Sequence, residues 1–374
     1  MTVRERIRVL VIDDSAFSRQ TITRMLRTSP LVEVVGVARD GEEALRKTFE
    51  LKPDLITLDL EMPRMDGFTF LRLVMNKRPT PVMVISGRAG EQDVFKALDL
   101  GAVDFIAKPT ARATPELQTI QSELIRKVHA TRDLRIEKVR ERIEAAPRVL
   151  PRPGFDAVAV QVPLAPVVVV GSSTGGPSAL MQTFAAFAEP PNCAFLVAQH
   201  MPKGFTKGFA ERLDRLTPFF VREATGGEPL VAGSVWIAPG GHHLELETRD
   251  GQVVTRVSES VPGDKYSPSV DRLFESAAKH FGEDLLAVVL TGMGDDGRRG
   301  VEAVKRARGA VIAESEESAV IFGMPQQAIR SGCVDRVLPL GDIPAAISSG
   351  LSRDAQGPAV QLASQEGLER RGDQ

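Results

Sequence analysis

The sequence predicts two α/β units in tandem, each a doubly wound sheet of parallel strands covered by helices. Between Ile7 and Lys108, five short β-branched runs alternate with segments of helical period. Beyond Pro166, three wholly apolar runs each end in a polar or glycine-rich turn. Pro147, Pro151, Pro153, Pro163 and Pro166 separate the two halves and read as an extended linker. A chain of 374 residues, 43% of them hydrophobic, has length and apolar content for two cores. The expected divisions are a first domain at 1–125, a helical and proline-rich linker at 126–165, a second domain at 166–352 and a polar, disordered tail at 353–374.

In the first unit, Arg8 to Ile12, Val32 to Ala38, Asp54 to Leu58, Pro81 to Ile85 and Asp104 to Ala107 are the expected strands. Ser15 to Thr28 and Gly41 to Leu51 are helices between them. Asp13-Asp14, Asp59 and Lys108 then fall together at the carboxyl edge of the sheet. Clustered carboxylates repel unless a cation sits among them, and Mg²⁺ with oxygen ligands is the usual answer. Such a site suits phosphoryl transfer: Asp59 attacks a phosphoryl donor, Asp14 and Asp59 hold the metal with Asp13 close by, and Lys108 pairs with phosphoryl oxygens. The competing reading is three loop or helix-capping aspartates.

The segments VLVIDDS, LDLEMPRMDG, VIS and DFIAKP resemble a response-regulator receiver domain over nearly all of this unit. The resemblance implies that Asp59 is the phosphoacceptor, that Ser86 contacts the phosphoryl group, and that the backbone carbonyl of Glu61 is a metal ligand. It also makes Phe105 an aromatic switch, although an aromatic residue in a strand is commonly core.

Pro115 to Ala145 contains strong helix formers, and Leu117, Ile120, Leu124, Ile125 and Val128 form one apolar stripe suited to the first unit's last helix. Past Ala130 the pattern is charged, with acidic residues among the basic ones and no aromatic side chain to stack on a base. That segment reads as a solvated helix rather than a nucleic-acid patch.

The second unit opens on PVVVVGSSTGG, Pro166 to Gly176. Four valines make a buried strand, the glycines permit a sharp turn, and Pro177 suits the first turn of a helix reaching Phe184. Gly171 to Gly175 fits G-x-S-x-G, which marks Ser173 as a candidate nucleophile; a phosphate-cradling or plain glycine-rich loop is the alternative. A serine needs a base and an orienting carboxylate. His200, one of five histidines, closes the run Ala194 to Gln199. Asp295 and Asp296 follow the run Leu285 to Leu290. Carboxyl ends of parallel strands share an edge, so the three groups can converge. The N–H of Thr174, next after the candidate nucleophile, suits an oxyanion hole.

Together with the APGGHH turn at Ala238 to His243, the motifs GSSTGGPSAL, QHMPKGFT and LTGMGDDG resemble the catalytic domain of the CheB family, chemotaxis protein-glutamate methylesterases, over roughly Pro166 to Leu340. The resemblance implies Ser173 as nucleophile, His200 as base and Asp296, rather than Asp295, as the orienting carboxylate. It sets Met293 beside the site and puts His243 near the cleft, with a minor substrate contact. It further implies a phosphorylation-activated serine hydrolase that demethylates glutamate γ-methyl esters and deamidates glutamines on chemoreceptors, with a chemotaxis histidine kinase as phosphodonor. No cofactor is expected in hydrolysis, and control is expected through docking of the receiver over the cleft. The chain order Ser, His, Asp differs from that of α/β-hydrolases, so the elbow motif does not imply that fold.

Composition limits the alternatives. A net charge of −2 makes no global case for nucleic acid or an anionic membrane, and a transcription factor would need a basic recognition helix. Cys193 and Cys333 are the only cysteines, which fits a reducing compartment. The apolar run in MTVRERIRVLVIDD is short for a signal peptide, and later runs fall below the roughly 18 residues of a membrane helix. A cytoplasmic protein without membrane insertion is expected. The remaining competitor, a non-enzymatic regulator binding a nucleotide through GSSTGG, lacks the P-loop lysine and leaves His200 and Asp296 without a role.

Overall fold

Runs of valine, isoleucine and leucine become strands buried on both faces, because parallel strands with helices on either side have no solvent face. The structure, a computed structural model, describes residues 6–86, 91–108, 115–144 and 166–350. The proline-rich stretch 145–165, the tail 353–374 and the side chain of Ser86 lie outside the described residues.

In the first sheet, β1 (Ile7–Ile12), β2 (Val32–Ala38), β3 (Leu55–Asp59), β4 (Val82–Ser86) and β5 (Asp104–Ala107) are parallel in the order β2-β1-β3-β4-β5. Helices α1 (Ala16–Leu26), α2 (Gly41–Leu51), α3 (Gly67–Lys77), α4 (Glu91–Asp99) and α5 (Pro115–Ala130) connect and cover it. The third and fourth strands begin and end one residue later than the sequence suggests, so Asp59 closes β3 instead of following it. Leu10 and Ile12 pack to one face, and Val9 and Val11 to the other.

The connector is not one helix. After α5 the chain makes a 3₁₀ turn at Thr131–Asp133, then forms α6 (Ile136–Glu144). α6 is not the solvated helix its charge pattern suggests. Val139 and Arg142 are buried, and Arg135 N–H donates to the Val320 carbonyl at 3.1 Å.

The second sheet contains β6 (Val167–Ser172), β7 (Ala194–Gln199), β8 (Phe220–Glu223), β9 (Ser234–Ile237), β12 (Leu285–Val289), β13 (Ala310–Glu314) and β14 (Arg336–Leu338), all parallel, in the order β14-β13-β12-β6-β7-β9-β8. The antiparallel hairpin of β10 (His242–Arg249) and β11 (Gln252–Glu259) stands apart. Helices α7 (Gly176–Ala185), α8 (Thr206–Leu216), α9 (Val270–Phe281), α10 (Arg298–Arg306), α11 (Gly323–Arg330) and α12 (Ile343–Gly350) complete the unit. The valines of β6 alternate between faces, Val168 and Val170 against Val167 and Val169. Each such buried side chain contributes about 1.5–3 kcal/mol. Gly171 continues β6 because a Cβ there would lie 2.3 Å from Val270 Cγ1 of α9. Among the described residues no helix is long and apolar enough to cross a membrane.

Candidate functional site

Strand order decides which side chains meet. β6 lies between β12 and β7, so the turns after these three strands are neighbours. Ser173 N–H donates to the Thr291 carbonyl at 3.0 Å, and His200 N–H to the Ser172 carbonyl at 3.0 Å. The turn from β6 into α7 pivots at Gly175, φ +78°, not at the serine. Gly176 N–H closes it onto the Ser173 carbonyl at 2.8 Å. The N–H groups of Ser173 and Gly176 are thus engaged inside the protein, contrary to the phosphate-cradle reading, in which such groups face a ligand. Gln199, buried at the end of β7, accepts from Ser172 Oγ at 2.7 Å and donates to the carbonyls of Ser173 and His200, each at 2.9 Å. Sequence reasoning passed over Gln199; its signal is a polar side chain closing the otherwise apolar run AFLVAQ.

His200 Nε2 lies 2.8 Å from Asp296 Oδ2. The same carboxylate accepts from Ser269 Oγ at 3.1 Å, Val270 N–H at 2.7 Å and Asp271 N–H at 2.9 Å, which seats it on the amino end of α9, where the helix dipole favours an anion. Burial alone would raise the Asp296 pKa, but the bonds from His200 and the α9 N–H groups outweigh it and hold the pKa below the usual carboxylate range. An ionised Asp296 can only accept, so Nε2 of His200 carries the proton between them and Nδ1 is left for exchange with another group. Ser173 Oγ makes no hydrogen bond to His200 among the described residues; such contacts commonly tighten only with substrate bound.

Asp295 turns away. It meets Lys265 Nζ at 2.6 Å and Tyr266 Oη at 3.2 Å, and these bonds, Lys265 first, lower its pKa. Tyr266, the only tyrosine of the chain, stacks on His200 with centroids 4.6 Å apart and planes at 9°. Nothing in the sequence marked it, because the contact joins distant loops. Asp271 was also missed. It accepts from the N–H groups of Gly297 and Gly300 at 2.9 and 2.8 Å. Burial and the charge of Asp296 push it up to about 6.

Thr174 Oγ1 donates to Asp104 of the first unit, and Met293 is buried in the loop after β12. That loop can pass against the candidate nucleophile because residue 292 is glycine, where a Cβ would lie 2.8 Å from Ser173 Cβ. The substrate contact expected of His243 does not fit its surroundings. The ring is fully buried, with Nε2 2.8 Å from Asp264 Oδ2 and Nδ1 accepting from Ser269 N–H at 3.2 Å.

At the first sheet's carboxyl edge, ligand atoms of Asp13, Asp14 and Asp59 lie within 4.8 Å of one another. Lys108 Nζ is 2.7 Å from Asp59 Oδ2 and 3.3 Å from Asp13 Oδ2. Burial pushes Asp59 up to about 6, with Asp13 adding to the shift and Lys108 opposing it. Three carboxylates against one ammonium make an oxygen-rich, charge-deficient site, and a divalent cation fits it. Glu61 lies two residues past β3 with an exposed side chain.

The two units touch around these sites. Phe105 packs on Phe205 with centroids 4.7 Å apart, and Phe95 on Phe209 at 5.8 Å. Arg212 pairs with Asp99 at 2.5 Å. Arg126 donates to the Lys265 carbonyl at 3.3 Å and lies over the Tyr266 ring. Behind Asp104, Lys127 Nζ bonds Oδ1 at 2.9 Å and the Phe105 carbonyl at 2.7 Å. The first unit therefore reaches the residue after Ser173 on one side and the ring stacked on His200 on the other.

Comparison with known proteins follows the same division. The pattern of the CheB methylesterase family matches residues 168–347, and that of the response regulator receiver domain residues 9–119. Protein-glutamate methylesterase/protein-glutamine glutaminase 3 of Geobacter sulfurreducens is 49% identical over 351 residues, covering 90% of this chain and 95% of the relative. Protein-glutamate methylesterase/protein-glutamine glutaminase 1 of Myxococcus xanthus is 49% identical over 343 residues, covering 92% and 96%. Among solved structures, the CheB methylesterase catalytic domain of Thermotoga maritima is 41% identical, covers 50% of this chain and 98% of its own, and gives a TM-score of 0.47.

Proposed function

The chain belongs to the CheB methylesterase family, and on that premise we propose that Ser173 is its nucleophile, His200 the base and Asp296 the carboxylate that orients the base. The activity is that of a protein-glutamate methylesterase and protein-glutamine glutaminase under a receiver domain in chemotaxis. The observation that carries the residue assignment is the 2.8 Å His200–Asp296 bond beside the Ser173 turn. Ser173 Oγ attacks the γ-carbonyl carbon of a methylated glutamate while His200 Nδ1 takes its proton. The proton then passes to the methoxy oxygen as the C–O bond breaks and methanol leaves. Water, deprotonated by the same ring, attacks the acyl-enzyme, and the proton returns to Ser173 Oγ. With a glutamine side chain the leaving group is ammonia. The Thr174 N–H is the oxyanion donor in this reading and Met293 lines the pocket, with no cofactor in either step.

Methanol release from methylated receptor membranes, with and without a small phosphodonor and Mg²⁺, tests the reading. Asp296→Ala is expected to lower the rate about 10²–10⁴ fold, since an unoriented imidazole samples wrong tautomers and positions. Asp295→Ala, which removes an exposed ion pair with Lys265 and a long hydrogen bond from Tyr266 Oη but no bond to His200, should stay within about threefold. The reverse ranking would exchange the roles of the two aspartates.

In the receiver we propose Asp59 as phosphoacceptor, with Asp13, Asp14, Asp59 and the Glu61 carbonyl around Mg²⁺. The cation, when bound, supplies charge neutralisation. An Asp59 carboxylate oxygen attacks phosphorus, the donor's leaving group departs with the bonding pair, and Lys108 and Ser86 hold the phosphoryl oxygens. Phe105 then shifts away from the other unit. Methyl-accepting chemoreceptors are the substrates and a chemotaxis histidine kinase the donor, which places the enzyme in the cytoplasm. Asp59→Asn is expected to take up no label from a phosphodonor while keeping the unstimulated rate of hydrolysis. Stable label elsewhere in that variant would overturn the assignment.

A further inference from the structure

We propose that Arg142, on the connector helix α6, is a positioning residue for the nucleophile turn, and that α6 is therefore a working part of the esterase rather than a tether. The inference rests on Ser173 being the nucleophile. Arg142 comes from the connector, yet its side chain is buried in the second unit. Nη1 donates to the Gly175 carbonyl at 3.0 Å, and Nη2 to Glu314 Oε1 at 2.6 Å and the Ser318 carbonyl at 3.1 Å. The Arg142 carbonyl accepts from Gln182 Nε2 of α7 at 2.8 Å. α6 is thus fastened to both ends of the turn-and-helix unit that carries Ser173.

Glu314 passes the fastening on. It is fully buried at the end of β13, and its Oε2 accepts from Thr291 N–H at 2.7 Å. Thr291 in turn accepts the Ser173 N–H on its carbonyl and donates Oγ1 to the Thr174 carbonyl at 3.1 Å. Arg142, Glu314, Thr291 and Ser173 form one hydrogen-bonded chain, while the second arm of Arg142 holds Gly175, where the turn takes its left-handed conformation. A planar guanidinium serves these three acceptors in fixed directions from its two terminal nitrogens, which an ammonium point charge cannot do with the same geometry. Removing the cation strands a buried carboxylate. Glu314 then keeps only Thr291 N–H and Ser318 Oγ, so its carboxylate shifts, and the Thr291–Ser173 strut moves with it. Displacement of a nucleophile by about 1 Å costs on the order of 100-fold in rate.

The test uses the full chain. Wild type, Arg142→Met, Arg142→Lys, Glu314→Gln and the Arg142→Met/Glu314→Gln pair are compared for kcat and KM of methanol release with phosphodonor present, for thermal midpoint, and for the rate of covalent labelling by a fluorophosphonate with the labelled peptide mapped. Arg142→Met is expected to lower both kcat and labelling rate about 10–100 fold with KM nearly unchanged. Arg142→Lys should recover part of that loss, and the double variant should be no worse than Arg142→Met, because the residues act in one chain. Stimulation by phosphodonor should keep its wild-type ratio. Wild-type kcat and labelling rate in Arg142→Met, with only the thermal midpoint lowered, would overturn the proposal and leave Arg142 a purely structural anchor. Labelling of a residue other than Ser173 in the wild type would instead overturn the nucleophile assignment.

Discussion

Ser173→Ala is expected to lose hydrolysis of methylated receptor by about 10⁴ fold or more, while phosphodonor labelling of Asp59 continues at the wild-type rate. In the proposed mechanism the Ser173 hydroxyl forms the acyl bond, and the neighbouring hydroxyls are engaged elsewhere. Thr174 is committed to Asp104 and Ser172 to Gln199. His200→Ala should fall to a similar level, and the Ser173→Ala/His200→Ala pair should be no slower than either alone, because the proposed nucleophile and base would act as one unit. The turn itself should survive in Ser173→Ala. It is held through the backbone N–H and carbonyl of residue 173, which alanine keeps. Methanol release near the wild-type rate, with the receiver still phosphorylated, would remove Ser173 from the mechanism.

How much of this arrangement a reader of the sequence can find depends on where each residue's partner lies. Ser173, His200 and Asp59 announce themselves because each closes a buried apolar run, and strand ends of parallel sheets collect at one edge. Asp296 could be separated from Asp295 only by resemblance. The physical difference is the amino end of α9, which comes from a segment about 25 residues upstream that spacing does not tie to the pair. Tyr266 and Asp271 act through contacts with no local pattern, and Gln199 is marked only as a polar residue closing an apolar run. Arg142 was misread for a related reason. A charged nine-residue helix looks solvated by composition, and only the buried Glu314 across the fold reverses that. The substrate contact expected of His243 comes only from the resemblance, which sets its turn near the cleft, whereas the ring folds inward onto Asp264 and Ser269.

Opening the contact between the units is expected to release the esterase without phosphorylation. Asp104 on Thr174 and Arg126 on Tyr266 place atoms of the first unit against both flanks of the candidate triad, with Phe105 on Phe205 and Phe95 on Phe209 beside them, and the side chains of Ser173 and Asp296 are buried. A phosphoryl group on Asp59 draws Lys108 toward it, and Lys108 follows β5, the strand that carries Asp104 and Phe105. Lys108 and the contact residues Phe105 and Asp104 are thus three and four positions apart along the chain, close enough for one two-state movement to serve both. Coupling between such sites is typically about 1–3 kcal/mol, which corresponds to roughly 5–150 fold in rate. Phe95→Asp puts a carboxylate against Phe209 at a cost of several kcal/mol, on the order of the whole coupling or more. Its unphosphorylated rate should therefore approach that of phosphorylated wild type, with retained Asp59 labelling as the sign of an intact receiver. A milder pair tests direction. Arg212→Glu should raise the resting rate a few fold by repelling Asp99, and adding Asp99→Arg should bring it back down. Truncation to residues 151–374 cannot substitute for these variants, since it removes Arg142 along with the receiver and so mixes release of the cleft with loosening of the nucleophile turn. If Phe95→Asp labels normally yet stays at the resting rate, docking does not hold the enzyme back, and the receiver must act by stimulating the esterase directly or by bringing it to its receptor.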